Sequence, residues 1–135
     1  MAILFILFAF LFGAFSFVGF GSGEPALTNE MAAHVPEWAQ KQGLEGNAQY
    51  VAGANLFAES GCTNCHTYLG AGSANLGAPD LSAEGTNGHS VSYFVAKMKC
   101  PSCVTHGSPM PPFAALGPKN LRLLAQFLAA SKRGG

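Results

Sequence analysis

Charge is scarce in this sequence. Asp, Glu, Lys and Arg make up 10% of the residues, and the seven acids cancel the seven bases. A nucleic-acid binder presents a basic surface, so nucleic acid is excluded as a partner. Two stretches lack even this much. Residues 1–23 carry no charged side chain, and residues 85–135 carry no acid. All seven acids lie in residues 1–84 beside one base, Lys41, while Lys97, Lys99, Lys119, Arg122, Lys132 and Arg133 follow. Such asymmetry either steers a docking partner, because charge patterning acts mainly on encounter rate, or is only a solvated helix face. Convincing strand alternation is also missing, as is any internal repeat, and helical periodicity elsewhere makes the expected fold class all-α. The cysteines number four, in two C-x-x-C pairs. In a small chain with an apolar N-terminus, that pattern suggests an oxidising compartment or cysteines consumed by a cofactor.

From Ala2 to Phe20 the chain is apolar apart from Ser16 and the small Gly13 and Gly19, and seven phenylalanines crowd residues 1–23. A helix of about 20 residues spans bilayer hydrocarbon, and one that is apolar all round suits lipid. The competing reading is a cleaved signal peptide. No Lys or Arg precedes the run, and its small-residue pairs (Ala14/Ser16, Gly19/Gly21) make poor cleavage sites. Residues 1–23 are therefore expected to be a retained transmembrane anchor. Residues 24–46 read as a mixed linker, with Pro36 in the first turn of a short helix through Trp38 to Gln42. Trp38 suits lipid headgroups, a partner subunit, or a cap over the following domain. That domain is expected to span residues 47–135.

Gly61-Cys62-Thr63-Asn64-Cys65-His66 contains C-x-x-C-H, the signature of covalent haem attachment. Two thiols add to the two haem vinyl groups, the two-residue spacer sets the sulfurs at the vinyl separation, and the next histidine falls under the iron. A zinc half-site would need two more ligands at suitable spacing. A thiol-redox pair of the thioredoxin kind would need a βαβ context. The preceding residues Ala48–Ser60 read as a helix capped by Asn47, with Tyr50, Ala54 and Phe57 on one face. Gly61 ends it.

A second iron ligand is expected downstream, and Met110 is the candidate, in Ser108-Pro109-Met110-Pro111-Pro112-Phe113. Three prolines stiffen this loop, so a weak thioether is held at little ordering cost. A Met/His pair raises the iron potential and leaves no open coordination position. Met110 as a gap-filling core residue is the plain alternative. Further helices are expected over Val91–Lys99, capped by Ser90, with Tyr93, Phe94 and Met98 inward, and after Gly117-Pro118. In the latter, Leu121, Leu124, Ala125 and Leu128 form a stripe that Leu123 and Phe127 widen.

From about Ala48 to Lys132 the pattern resembles the class I cytochrome c family. The resemblance rests on Gly53-Ala54-Asn55-Leu56-Phe57, the attachment motif, Gly77-Ala78-Pro79-Asp80-Leu81, Met110-Pro111-Pro112-Phe113 and the last helix. It implies a small all-α domain around one covalent haem c. It also implies that the Pro79 carbonyl accepts a hydrogen bond from the ligand histidine, that Leu81 packs on the porphyrin, and that Phe57 meets Phe127. The stretches 75–81 and 107–113 look closest to anchored cytochrome c subunits of quinol-oxidising bc assemblies or terminal oxidases.

One departure is Lys99-Cys100-Pro101-Ser102-Cys103-Val104-Thr105-His106. A C-x-x-C without a following histidine offers no axial ligand for a second haem. Outside the cytoplasm, Cys100 and Cys103 are expected to form a local disulfide that stiffens the methionine loop; a thiol switch is the alternative. His106 is a lesser candidate for the iron, and His34 and His89 read as solvated. The functional expectation is single-electron transfer, with no catalytic residue in this chain. The membrane, an electron donor and an electron acceptor are its partners, and the haem domain lies on the outer face. A peroxidase-like haem enzyme or gas sensor, which needs an open sixth position, and a thiol oxidoreductase using Cys100 and Cys103 are the competing functions.

Overall fold

The protein is described by a computed structural model over residues 30–133. The expected anchor at residues 1–23 lies outside the described residues, and among those described no helix is long and apolar enough to cross a membrane. The chain is mostly helical, in agreement with the all-α expectation. Its helices are α1 (Val35–Gln42), α2 (Ala48–Glu59), α3 (Val91–Lys99), the single turn α4 (Pro101–Val104) and α5 (Gly117–Ala130).

Local chemistry sets these boundaries. The Asn47 carboxamide oxygen accepts the Tyr50 backbone N–H at 3.0 Å, and the Ser90 hydroxyl accepts that of Tyr93 at 3.1 Å. Each satisfies a donor that the first helical turn leaves unpaired. Pro118 sits in the first turn of α5, where its missing N–H costs nothing.

α5 packs across α2 and α3. At the α2–α5 crossing, a Cβ on Gly53 would overlap the Leu123 carbonyl oxygen and the Phe127 Cβ. Glycine thus lets the two backbones touch. One turn on, the rings of Phe57 and Phe127 meet with centroids 5.2 Å apart. Tyr50, Tyr68 and Trp38 complete a buried aromatic cluster.

Residues 24–46 were expected to be a linker and the domain to begin at Asn47. In the structure residues 35–42 pack with the residues that follow. α1 packs on α2, and it buries Val35, Trp38, Ala39 and Gln42. Trp38 is 1% exposed, with its ring centroid 5.0 Å from Tyr68 and 6.1 Å from Phe57. It is a core residue, so of its three readings the cap over the domain is the one realised. Gln42 fastens α1 to the far end of the chain. Its amide nitrogen donates to the carbonyls of Ser82 at 2.8 Å and Arg133 at 3.0 Å. Its oxygen accepts the N–H groups of Lys132 at 3.0 Å and Arg133 at 3.1 Å.

A small antiparallel hairpin, β1 (Thr67–Tyr68) with β2 (Ala71–Gly72), was not expected. Its two turn residues, Leu69 (φ 47°) and Gly70 (φ 86°), both have positive φ, as the tightest hairpin turns require. Leu69 tolerates this because its side chain is buried and the Ser82 hydroxyl accepts its N–H at 2.6 Å.

Candidate functional site

The C-x-x-C-H segment begins where α2 ends. Gly61 takes a left-handed conformation (φ 77°) that turns the chain out of the helix. A single 3-10 turn, Cys62–Asn64, follows. Within it the Cys62 carbonyl accepts the N–H groups of both Cys65, at 3.2 Å, and His66, at 3.0 Å. Both thiols and the imidazole are thereby fixed on one short turn.

The loop after the hairpin is laid across this turn. Ser73 N–H donates to the Thr63 carbonyl at 2.9 Å and Asn75 N–H to that of Cys65 at 3.1 Å. The Asn75 side chain donates to Asn64 O at 2.6 Å. That fastening brings the Pro79 carbonyl 2.9 Å from His66 Nδ1. A carbonyl can only accept, so Nδ1 carries the proton and Nε2 is the nitrogen with a free lone pair. Next door, the Asp80 carboxylate accepts from Thr67 Oγ1 at 2.7 Å and from Ser82 N–H at 2.9 Å. Partial burial raises the Asp80 pKa, but the bonds from Ser82 and Thr67 outweigh it and hold the carboxyl below its ordinary value.

These residues open onto a cavity of about 320 Å³, at the lower end of the roughly 300–1,000 Å³ typical of small-molecule sites. Cys62, Cys65 and His66 line it, and so do Pro79, Leu81 and Met110. All six residues singled out for cofactor binding therefore share one cavity. Phe94, Met98 and Leu128 supply apolar wall from α3 and α5. The Met110 loop is pinned at its far end, where Phe113 N–H donates to the Met98 carbonyl at 2.8 Å.

Cys62 and Cys65 are free thiols. Burial pushes the Cys62 thiol up to about 11, so it is protonated at neutral pH. Zinc binding and thiol exchange both need a thiolate, and this environment disfavours one. Among the described residues no three His, Cys, Asp or Glu side chains gather into a metal cage. An apolar cavity edged by two free thiols and an oriented imidazole, with a thioether in the same lining, fits a porphyrin attached by thioether bonds.

The second C-x-x-C pair is a disulfide, Cys100–Cys103. His106 is exposed and does not line the cavity. His89, read as solvated, is exposed and stacks on the Tyr93 ring with centroids 3.9 Å apart, while His34, read the same way, is half-buried and stacks on Trp38. Sequence reasoning missed Glu84 and Lys97, the two charged residues in the lining; no local motif marks either. It also missed the strain at Leu76, a rim residue with φ 54° that is 76% exposed.

No protein-family model matches this chain, and no match was found among curated proteins or among solved structures.

Proposed function

We propose that this chain is a one-haem c-type cytochrome that transfers single electrons. The observation that carries the reading is the convergence of Cys62, Cys65, His66 and Met110, from sequence positions up to 48 residues apart (110 − 62), on the lining of one apolar cavity. Cys62 and Cys65 would hold the porphyrin through thioether bonds. His66 Nε2 and the Met110 sulfur would hold its iron. When bound, the haem supplies a one-electron iron couple.

The chain's own residues do the rest. Pro79 fixes the tautomer and orientation of His66 through Nδ1–H, an outer-sphere bond of the kind that raises ligand basicity. Phe94, Met98 and Leu128 give the cavity an apolar wall, and an apolar surround of this sort favours the less charged iron state. If His66 and Met110 both held the iron, no position would be left for a substrate, which favours electron transfer over peroxidase-like chemistry or gas sensing.

More particularly, the chain reads as a membrane-anchored subunit with its haem domain on the outer face, serving a quinol-oxidising bc-type or terminal oxidase complex. The apolar residues 1–23 and the resemblance to anchored cytochrome c subunits support that part. The deciding experiment is a visible spectrum of the purified chain with and without carbon monoxide. A covalent haem spectrum, a sulfur-to-iron charge-transfer band and no carbon monoxide adduct at neutral pH are expected. A haemless chain, or ready binding of carbon monoxide, would overturn the reading.

A further inference from the structure

The two C-x-x-C pairs differ in surroundings. Cys62 and Cys65 are half-buried free thiols on the cavity wall. Cys103 is exposed, Cys100 half-buried, and every residue from Ser102 to Gly107 is exposed. We infer that Cys100–Cys103 is a reversible thiol-exchange site for a partner protein carrying its own vicinal dithiol, and that its state sets how firmly the Met110 loop is held.

Three observations carry this. First, access: Cys103 is the more exposed residue of the pair, so its sulfur is the one offered to an incoming thiolate, and access governs exchange. Second, charge: Lys97 to His106 includes Lys97 and Lys99 and no acid, so the segment itself adds no repulsion to an approaching thiolate. Third, placement. The bridge closes a ring of only four residues, which constrains an unfolded chain little, so global stability is a weak reason for it. It does lie between α3, which lines the cavity through Tyr93, Phe94, Lys97 and Met98, and the loop 108–113, which lines it through Met110. Besides the bridge, the excursion is held by the buried Pro101, by Cys100 N–H on Ala96 O at 2.9 Å and Cys103 N–H on Cys100 O at 3.1 Å, and by a few further bonds. Lys97 Nζ donates to Thr105 Oγ1 at 2.7 Å, Thr105 N–H to Pro101 O at 2.8 Å, and Ser108 N–H to Thr105 O at 3.1 Å. Phe113 N–H closes the loop on Met98 O at 2.8 Å.

The exchange balances as a two-electron step. A partner thiolate attacks Cys103 Sγ, the Cys100–Cys103 bond breaks, and Cys100 leaves as thiolate. The partner's second thiol then displaces Cys103 from the mixed disulfide. The partner ends as a disulfide; one proton from its second thiol and one from water leave Cys100 and Cys103 as thiols.

The test uses the full chain purified in mild detergent. It is equilibrated in graded mixtures of reduced and oxidised dithiothreitol, quenched with N-ethylmaleimide and peptide-mapped. Cys100 and Cys103 should become labelled together while the far-UV circular dichroism stays native, and should re-form the bridge on reoxidation. Resistance to reduction until the chain unfolds overturns the proposal. In the double variant Cys100→Ser/Cys103→Ser, amide exchange in residues 108–113 should quicken by roughly fivefold or more, with α2 and α5 unchanged. Unchanged exchange in that loop, or failure of the double variant to fold, also overturns it. The coupling to Met110 gains its functional meaning from the electron-transfer reading, but neither readout needs haem. A haemless chain would sink that reading and leave this one standing.

Discussion

The Met110 sulfur is the weakest member of the proposed ligand set and the most informative to remove. Its loop is stiffened by Pro109, Pro111 and Pro112 and pinned by Phe113 on Met98, so Met110→Ala should leave the backbone in place and open one coordination position. The expected outcome is carbon monoxide binding at neutral pH. The reduction potential should fall by a sizeable fraction of the roughly 0.8 V over which axial ligands move haem potentials. A redox titration beside a carbon monoxide spectrum measures both. Tyr50 and Tyr68 make a different single-residue argument. Ser131 Oγ spends its proton on the Phe127 carbonyl at 2.8 Å, so the Tyr68 hydroxyl must donate to Ser131, and Tyr50 must donate to Tyr68 at 2.9 Å. Burial raises the pKa of both phenols above the ordinary value. A group that holds its proton more tightly when folded contributes stability that is complete below its unfolded pKa, about 10. That stability is lost as pH rises beyond it. Urea unfolding between pH 7 and alkaline pH should therefore show stability declining above about pH 10, less steeply in Tyr50→Phe than in the parent chain.

Among the elements, the α2–α5 crossing has the least room. Gly53→Ala would set a methyl group against the Leu123 carbonyl and Phe127. Alanine favours a helix by up to about 1 kcal/mol. Overpacking typically costs about 1–3 kcal/mol, and here the obstacle is backbone as well as side chain, so a net loss is expected. Thermal melting should register it, at about 4–8 °C per kcal/mol for a domain of this size. The helices α2, α3 and α5 were legible in the sequence because their boundaries are local chemistry: Asn47, Ser90 and Gly117-Pro118 act within a few residues. The C-x-x-C-H turn was legible for the same reason. The hairpin was not, because Leu69-Gly70 lacks the Asn-Gly or Asp-Gly that announces such a turn, and what holds it, Ser82, is 13 residues away. α1 was legible as a helix but not as part of the core. Its inward positions 35, 38, 39 and 42 have helical spacing, yet the last is Gln42, which reads as surface until its four partners in the 82 and 132–133 segments are seen. Glu84 and Lys97 face the cavity by tertiary placement alone.

For the molecule as a whole, the sharpest question is where the folded unit begins. If residues 30–46 were a tether, a chain starting at Asn47 would melt as the longer one does. The packing argues otherwise. Loss of α1 takes Val35, Trp38 and Ala39 out of the core. Truncating a buried Trp alone costs about 3–5 kcal/mol. Loss of Gln42 also strips partners from the carbonyls of Ser82 and Arg133 and from two backbone N–H groups. Each such group, where buried, costs about 1–3 kcal/mol when left unpaired. Together these approach the 5–15 kcal/mol of net stability typical of a small domain. Fragments 30–135 and 47–135 should therefore part company in a thermal melt followed by circular dichroism. The longer is expected to unfold cooperatively, and the shorter to melt at least about 15 °C lower or to show no transition. Gln42→Ala in the longer fragment should fall between them, with faster amide exchange at Lys132 and Arg133. Equal melting of the two fragments would make α1 a tether after all. The proposed electron-transfer domain would then be free to swing on residues 30–46 instead of continuing rigidly from residue 35 onward.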